Sequence, residues 1–205
     1  MPNALFTKNA IAEGTKELIR QGSIESITVT EICEKTGMNR RSFYRYFRDK
    51  FEVVDWIYYH DSLIDVSHYD GWSIFDYMPR IMESLYSDRR YYVNALKYKG
   101  QNSFREYCTQ CLRKLIEPHY SDVFTEKGQL DFFTEHLCEM TYDACIAWLS
   151  SEPCMPPDEF TAYYGDFLIK SFSVSADLLL RTPKAGKQKI TVRHAEPART
   201  GSRRK

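Results

Sequence analysis

The chain has 205 residues, 43% of them hydrophobic and 15% aromatic, enough for one sizeable core or for a small domain beside a larger one. Its 28 Lys/Arg balance 28 Asp/Glu, so bulk charge points to no partner, and no run of about 18 apolar residues suggests a membrane helix. Lys8, Glu13 and Lys16 interrupt the apolar residues of the N-terminus, and six irregularly spaced cysteines fit reduced thiols better than a disulfide framework, so a cytoplasmic protein without membrane contact is expected.

Asn3 to Gln21 reads as a first helix, with Phe6, Ala10, Ile11, Ala12, Leu18 and Ile19 on its apolar side and Gly22-Ser23 ending it. The next stretch, Ile27 to Lys50 (ITVTEICEKTGMNRRSFYRYFRDK), is the most informative in the chain. Thr28 is placed to cap a second helix, and Glu31, three residues on, can reach back to a free backbone N–H. Val29, Ile32 and Cys33 share one face of that helix. Gly37 can take the left-handed conformation that a sharp stop requires. Met38 packs behind the turn, and Asn39 can cap the next helix.

In that next helix Phe43 and Phe47, four apart, point inward, which leaves Arg40, Arg41, Ser42, Tyr44, Arg45 and Tyr46 outward or sideways. From Gly37 to Lys50, five basic residues stand against one acid, Asp49. Two short helices joined by a glycine turn, the second one basic, form the layout of a helix-turn-helix that seats its second helix in the major groove. Arginine near the start of such a helix can pair with guanine O6 and N7. Tyrosine and serine hydroxyls, and Lys50, suit phosphate oxygens, which fix register without reading sequence.

The run ITVTEIC…TGMNRRSFYRYFRDKFEVV resembles the N-terminal DNA-binding domain of the TetR/AcrR family of transcriptional regulators. The family hallmark is I-T-V-x-x-I-A, a glycine turn, and T-F-Y-x-H-F-x-[DN]-K. Here Cys33 stands where alanine is usual, Tyr46 where histidine is usual, and Arg40-Arg41 where many members carry smaller residues. The N-R-R-[ST]-F-Y form is most similar to the branch that contains dihydroxyacetone-kinase regulators. The resemblance implies that Thr28 and Thr30 touch the DNA backbone, that Arg40, Arg41, Ser42 and Arg45 face the groove, and that Tyr44, Tyr46 and Lys50 clamp phosphates. It also implies a homodimer on a pseudo-palindromic operator. The implied function is transcriptional regulation, most often repression relieved by a small-molecule effector. In the branch named, the alternative is activation controlled by a partner protein through the C-terminal domain.

A fourth helix, capped by Asp49, is predicted to about Ser67 with Phe51, Val54, Ile57, Tyr58 and Leu63 as its inner stripe. Beyond the Tyr69-Asp70-Gly71 loop, helices are predicted at about Ser73–Tyr86, Arg89–Tyr98, Ser103–Glu117, Gln129–Ser150 and Asp158–Arg181. Pro79 is expected to kink or break the first of these near Met78. Gly100, Pro118, Gly128 and the prolines at 153, 156 and 157 mark turns. With no strand-period alternation and no repeat, the fold class is all-α. Residues 1–48 form a three-helix DNA-binding domain, 49–181 a helical ligand-binding and dimerisation domain, and 182–205 a disordered basic tail. Residues 59–180 hold nineteen acids against ten bases, so DNA repels the body and helps orient the basic motif.

An effector pocket in that body draws on Trp72, Phe75, Met78, Met82, Tyr86, Phe104, Tyr107, Met140 and Trp148, though such stripes at helical spacing also make plain core. The last helix is apolar on nearly every face and needs cover all round. Phe160, Tyr164, Phe167, Leu168 and Phe172 are its candidates for a dimer interface, against the alternative of a central helix in a monomer. Cys108 and Cys111 share a helix face, which raises a thiol or metal sensor. Two ligands do not close a zinc site, however, and both read better as packed apolar residues, so no metal and no cofactor is expected. No catalytic residue emerges, because G-x-S-x-G, P-loop, H-E-x-x-H and Rossmann glycine patterns are all missing.

Overall fold

The structure is a computed structural model that describes residues 2–64, 74–98, 100, 103–124 and 126–181. Every regular element among them is helical. Helix α1 (Pro2–Gln21) buries Ile11, Ala12, Thr15, Lys16 and Ile19, and packs against α2 (Val29–Thr36), α4 (Lys50–Tyr58) and α6 (Arg89–Leu96). Phe6 departs from the expected apolar side: it is 74% exposed, a full turn before the buried face begins. The one-turn helix α3 (Arg40–Phe43) lies between α2 and α4.

Asp49 caps α4 as expected, its Oδ1 accepting from the N–H of Phe51 and of Glu52, both at 2.9 Å. Val53, Val54, Ile57 and Tyr58 are buried, while Phe51 is only half-buried. The helix then widens into a π turn over Tyr59–Leu63, an irregularity that no sequence pattern foretold. In that turn the Asp61 carboxylate takes the Lys16 ammonium of α1 at 2.6 Å, and its carbonyl accepts from Ser84 Oγ at 3.0 Å. The predicted continuation to Ser67 and the loop at 69–71 lie outside the described residues.

The helix break allowed for at Pro79 and the turn expected at Pro118 do not occur. Helix α5 (Ile74–Ser87) runs through Pro79. A helix-interior proline costs about 3 kcal/mol, but Tyr77, Met78, Ile81, Met82 and Leu85 are all buried on the other face, each at roughly 1.5–3 kcal/mol. Helix α7 (Phe104–Tyr120) likewise continues past Pro118, because Phe104, Cys108, Leu112 and Ile116 form a buried row at four-residue spacing. Gly128, expected in a turn, sits in the first turn of α8 (Lys127–Ser150).

Helices α7 and α8 pair side by side. Arg105 bridges Glu139 and Asp143 across the pair, and Arg113 bridges Glu117 and Asp131. Arg89 closes the end of α8, donating to Leu149 O at 2.6 Å and Ser151 O at 2.7 Å. Residues up to Gly165 form one compact unit, which includes the first turns of α9 (Pro157–Arg181). The rest of α9, from Asp166, is a separate unit. It carries exposed Phe167, Ile169, Phe172 and Val174, and a Lys170–Asp166 pair at 2.6 Å. The predicted tail at 182–205 lies outside the described residues.

Candidate nucleic-acid interface

The motif is built from caps. The Thr28 Oγ1 accepts from the Glu31 N–H at 3.2 Å, and Glu31 Oε2 accepts the Thr28 N–H at 2.7 Å, so both halves of the capping box are present. These bonds from Thr28 hold the Glu31 carboxyl below its usual range. Gly37 ends α2 at φ 68°, and the Met38 N–H returns to Cys33 O at 2.9 Å. Asn39 Oδ1 accepts from the Ser42 N–H at 2.9 Å and starts α3.

Helix α3 has only four residues, and tighter turns carry the chain on through Tyr46 and Phe47, whose N–H groups bond Phe43 O at 2.9 and 3.1 Å. A run rich in Ser, Tyr and Phe has modest helix propensity, so tertiary anchors hold it. Phe43 and Phe47 are 1% and 2% exposed, with ring centroids 6.1 Å apart. Trp56 of α4 meets Phe47 edge-on at 6.0 Å, and the Lys8 ammonium of α1 lies 5.0 Å from the same ring.

With both phenylalanines inward, Arg40, Arg41, Tyr44 and Arg45 are exposed, and Ser42 and Tyr46 half-buried. Thr30 is exposed at the start of α2. Arg40 lies over the Tyr44 ring at 5.8 Å with Nη2 3.3 Å from the phenol oxygen, so that arginine is already oriented. Among the described residues neither Arg41 nor Arg45 enters an ion pair. The result is a basic edge of three arginines on a rigidly capped, aromatic-backed turn, suited to a polyanion with hydrogen-bonding edges.

Thr28 and Lys50, two of the predicted backbone contacts, also have partners within the chain. The Thr28 hydroxyl donates to Glu31 Oε2 at 2.7 Å. The Lys50 ammonium donates to Ile27 O at 2.7 Å and to Glu25 O at 3.1 Å, and burial pushes its pKa down. Nothing local in the sequence signals the Lys50 contacts, since they join residues 23 and 25 positions apart.

Residues 11–55 match the family described as "Bacterial regulatory proteins, tetR family". Within those residues the chain is TetR-like. Among curated TetR-type relatives, the "HTH-type dhaKLM operon transcriptional activator DhaS" of Lactococcus lactis is 33% identical over 75 residues, 35% of this chain and 40% of that protein. The "Uncharacterized HTH-type transcriptional regulator YxbF" of Bacillus subtilis is 22% identical over 161 residues, 72% of this chain and 41% of that protein. The matches thus span about two fifths of the length of these curated relatives. Of solved structures, the dihydroxyacetone kinase operon activator DhaS superimposes with a TM-score of 0.56 at 16% identity, covering 83% of this chain and 98% of that one. A TetR-family regulator from Streptomyces coelicolor gives 0.50 at 14%, covering 78% of each. Both likenesses confirm the all-α TetR-type fold.

The described residues among those expected to line an effector pocket take several different positions. Trp72 and the Phe75 side chain lie outside the described residues. Met82 and Phe104 meet at an apolar void of only about 20 Å³, walled also by Tyr58, Cys108, Tyr142 and Cys145. Met78 is buried, and Tyr107 and Met140 are half-buried. Tyr86 stacks on Trp148 at 6.0 Å, Trp148 on Phe160 at 4.3 Å, and Phe160 on Tyr164 at 5.9 Å. This column buries Phe160 and Tyr164, two expected dimer residues, within their own chain, with Tyr164 Oη 3.0 Å from Thr141 Oγ1. Leu168 is half-buried. Burial pushes the Cys108 and Cys111 thiols up, which keeps both protonated and works against thiolate chemistry.

Proposed function

We propose that this protein is a sequence-specific DNA-binding transcriptional regulator that binds a pseudo-palindromic operator as a homodimer. The outward presentation of Arg40, Arg41 and Arg45 on the capped turn carries this reading. Residues 1–48 act as the DNA-binding domain and 49–181 as the regulatory and dimerising body. The exposed side chains Tyr163, Phe167, Ile169, Phe172 and Val174 on α9 support self-association through that helix. The protein works by binding rather than by catalysis, and acts in the cytoplasm where the chromosome is. No helix among the described residues is long and apolar enough to cross a membrane.

By family habit the regulator represses and a small molecule releases it. A second reading is control by a partner protein. One curated relative is itself named an operon transcriptional activator. Native mass spectrometry of the protein isolated from its own cells separates the two readings by a small-molecule adduct or a bound polypeptide. Selection of bound fragments from genomic DNA, followed by footprinting, tests the function itself. Enrichment of a two-fold site protected by two subunits is expected; recovery no better than bulk DNA overturns the proposal.

A further inference from the structure

Arg40 and Tyr44 stand four positions apart, so one helical turn brings their side chains together. The Arg40 guanidinium lies 5.8 Å from the Tyr44 ring centre, and its Nη2 donates to the phenol oxygen at 3.3 Å. The ring is supported in turn: it meets Phe43 edge-on at 5.4 Å, and Phe43 is buried among the N-terminal helices. Both backbones are pinned as well. Asn39 caps the turn that starts at Arg40, and the Tyr44 N–H donates to Arg40 O at 3.0 Å. Among the described residues, Arg41 and Arg45, the other exposed arginines of this edge, have no such ring.

We infer that Tyr44 is a positioning residue for Arg40, and that Arg40 so held reads a guanine through the two acceptors on its major-groove edge. The inference rests on the DNA-binding reading above and assigns part of its sequence discrimination to a named pair. A guanidinium carries five N–H donors, of which the phenol oxygen takes one. Those left suffice for the two parallel bonds that guanine O6 and N7 accept. The phenol keeps its own O–H, which can go to a phosphate while the oxygen still accepts from Arg40. An unsupported arginine samples many rotamers and loses them on binding. A stacked one loses fewer at contact, and it cannot swing freely to a neighbouring base or phosphate where the guanine is absent.

The test uses the full chain as wild type, Arg40→Ala, Tyr44→Leu, Tyr44→Phe and the double variant Arg40→Ala with Tyr44→Leu. Affinities are measured by fluorescence anisotropy on a duplex selected from genomic fragments. They are measured again on duplexes in which each G·C pair is replaced in turn by A·T, which exchanges the O6 acceptor for an N6 donor. For the wild type, one such replacement is expected to weaken binding about 5- to 150-fold, and for Arg40→Ala the same replacement is expected to cost less than about twofold. Tyr44→Leu keeps Arg40 but is expected to lose at least about threefold of that discrimination. Tyr44→Phe, which retains the ring, is expected to keep most of it, and the double variant to match Arg40→Ala. The ratio of affinities for two duplexes cancels any loss of folded protein, so a destabilised variant does not imitate the result. The ring-current shift of the Arg40 side-chain protons, read by NMR without DNA, is the second measurement: it is expected in the wild type and Tyr44→Phe and absent from Tyr44→Leu. Four results each overturn the inference: equal weakening of every duplex by Tyr44→Leu, single-variant losses that simply multiply, no guanine whose replacement Arg40→Ala ignores, or an unchanged Arg40 shift in Tyr44→Leu. If the wild type prefers no selected site to bulk DNA, the proposed function falls and this inference with it. A clear wild-type preference without Arg40–Tyr44 coupling removes this inference alone.

Discussion

The fork between Arg20 and Asp88 ties the last turn of α1 to the start of α6, and its strength can be worked out. Arg20 Nε and Nη2 donate to Asp88 Oδ1 and Oδ2 at 2.8 and 2.5 Å. The side chains keep 34% and 15% of their exposure, so the pair is neither free in solvent nor deeply buried. Charge centres about 4 Å apart attract by roughly 4 kcal/mol at an effective dielectric of about 20. Lost hydration offsets part of this, which leaves a net of about 2 kcal/mol, within the range of hydrogen bonds to charged groups. Arg20→Met keeps an apolar stem and removes the fork, so it is expected to cost about 2 kcal/mol in urea unfolding. Asp88→Asn is expected to cost roughly 1–2 kcal/mol, and the double variant less than the two together, with a coupling energy of about 1.5 kcal/mol. The fold survives each change because Lys16–Asp61 at 2.6 Å and the Asn94 Nδ2 donation to Ile19 O at 2.8 Å still hold α1. A coupling energy under about 0.5 kcal/mol, that of an ordinary surface pair, refutes the reasoning.

Gly37→Ala meets no atom within 4 Å of the added carbon, so its cost is the left-handed backbone alone; about 1 kcal/mol is expected by chemical denaturation, and a stabilised variant contradicts it. Gly14→Ala is a packing change instead. The new carbon would lie 2.4 Å from Thr36 Cγ2, and Thr36 is held by its 2.8 Å bond to Ile32 O. A net loss of roughly 1–2 kcal/mol is expected after the gain in helix propensity, and a melting temperature at or above wild type rules out the clash. Asp55 makes a pH prediction. Burial, helped by the nearby Asp49 and Glu52 carboxylates, pushes its carboxyl up to about 7. The native state then keeps a proton that the unfolded chain releases near pH 4. That contribution to stability is full below about pH 4 and is lost progressively as pH rises through about 7. Asp55→Asn mimics the protonated form, so its stability relative to wild type is expected to grow by roughly 1–2 kcal/mol between about pH 4.5 and 8, solvent screening allowed for. A difference that does not change with pH removes the assignment.

What the sequence showed best were features closed within a few residues. The Thr28–Glu31 box, the Gly37 stop, the Asn39 cap and the Asp49 cap each depend on a donor and an acceptor two to five positions apart, so residue type and spacing decide them. Phe43 and Phe47 were legible as inward because a four-residue step keeps one helical face. Partners brought together by the tertiary fold were not legible. The Lys50 bridge and the Arg20–Asp88 fork join positions 23 to 68 apart. The close approach of Gly14 to Thr36 depends on how α1 and α2 cross. Pro79 and Pro118 misled for the same reason: a local rule was outweighed by the buried rows on the opposite faces of α5 and α7. The apolar character of α9 could not tell its own chain from a second copy, and Phe160 and Tyr164 proved to stack on Trp148 and each other.

The central claim is that the exposed edge of α3 reads DNA. Its most direct test is an anisotropy titration of wild type, Arg41→Ala and Arg45→Ala against a selected genomic site and a scrambled duplex of equal length. Loss of a bidentate base contact is worth about 1–3 kcal/mol, so at least one variant should bind the selected site about 5- to 150-fold more weakly, with a smaller loss on the scrambled one. Two variants that keep wild-type affinity and wild-type preference for the selected site would contradict the account.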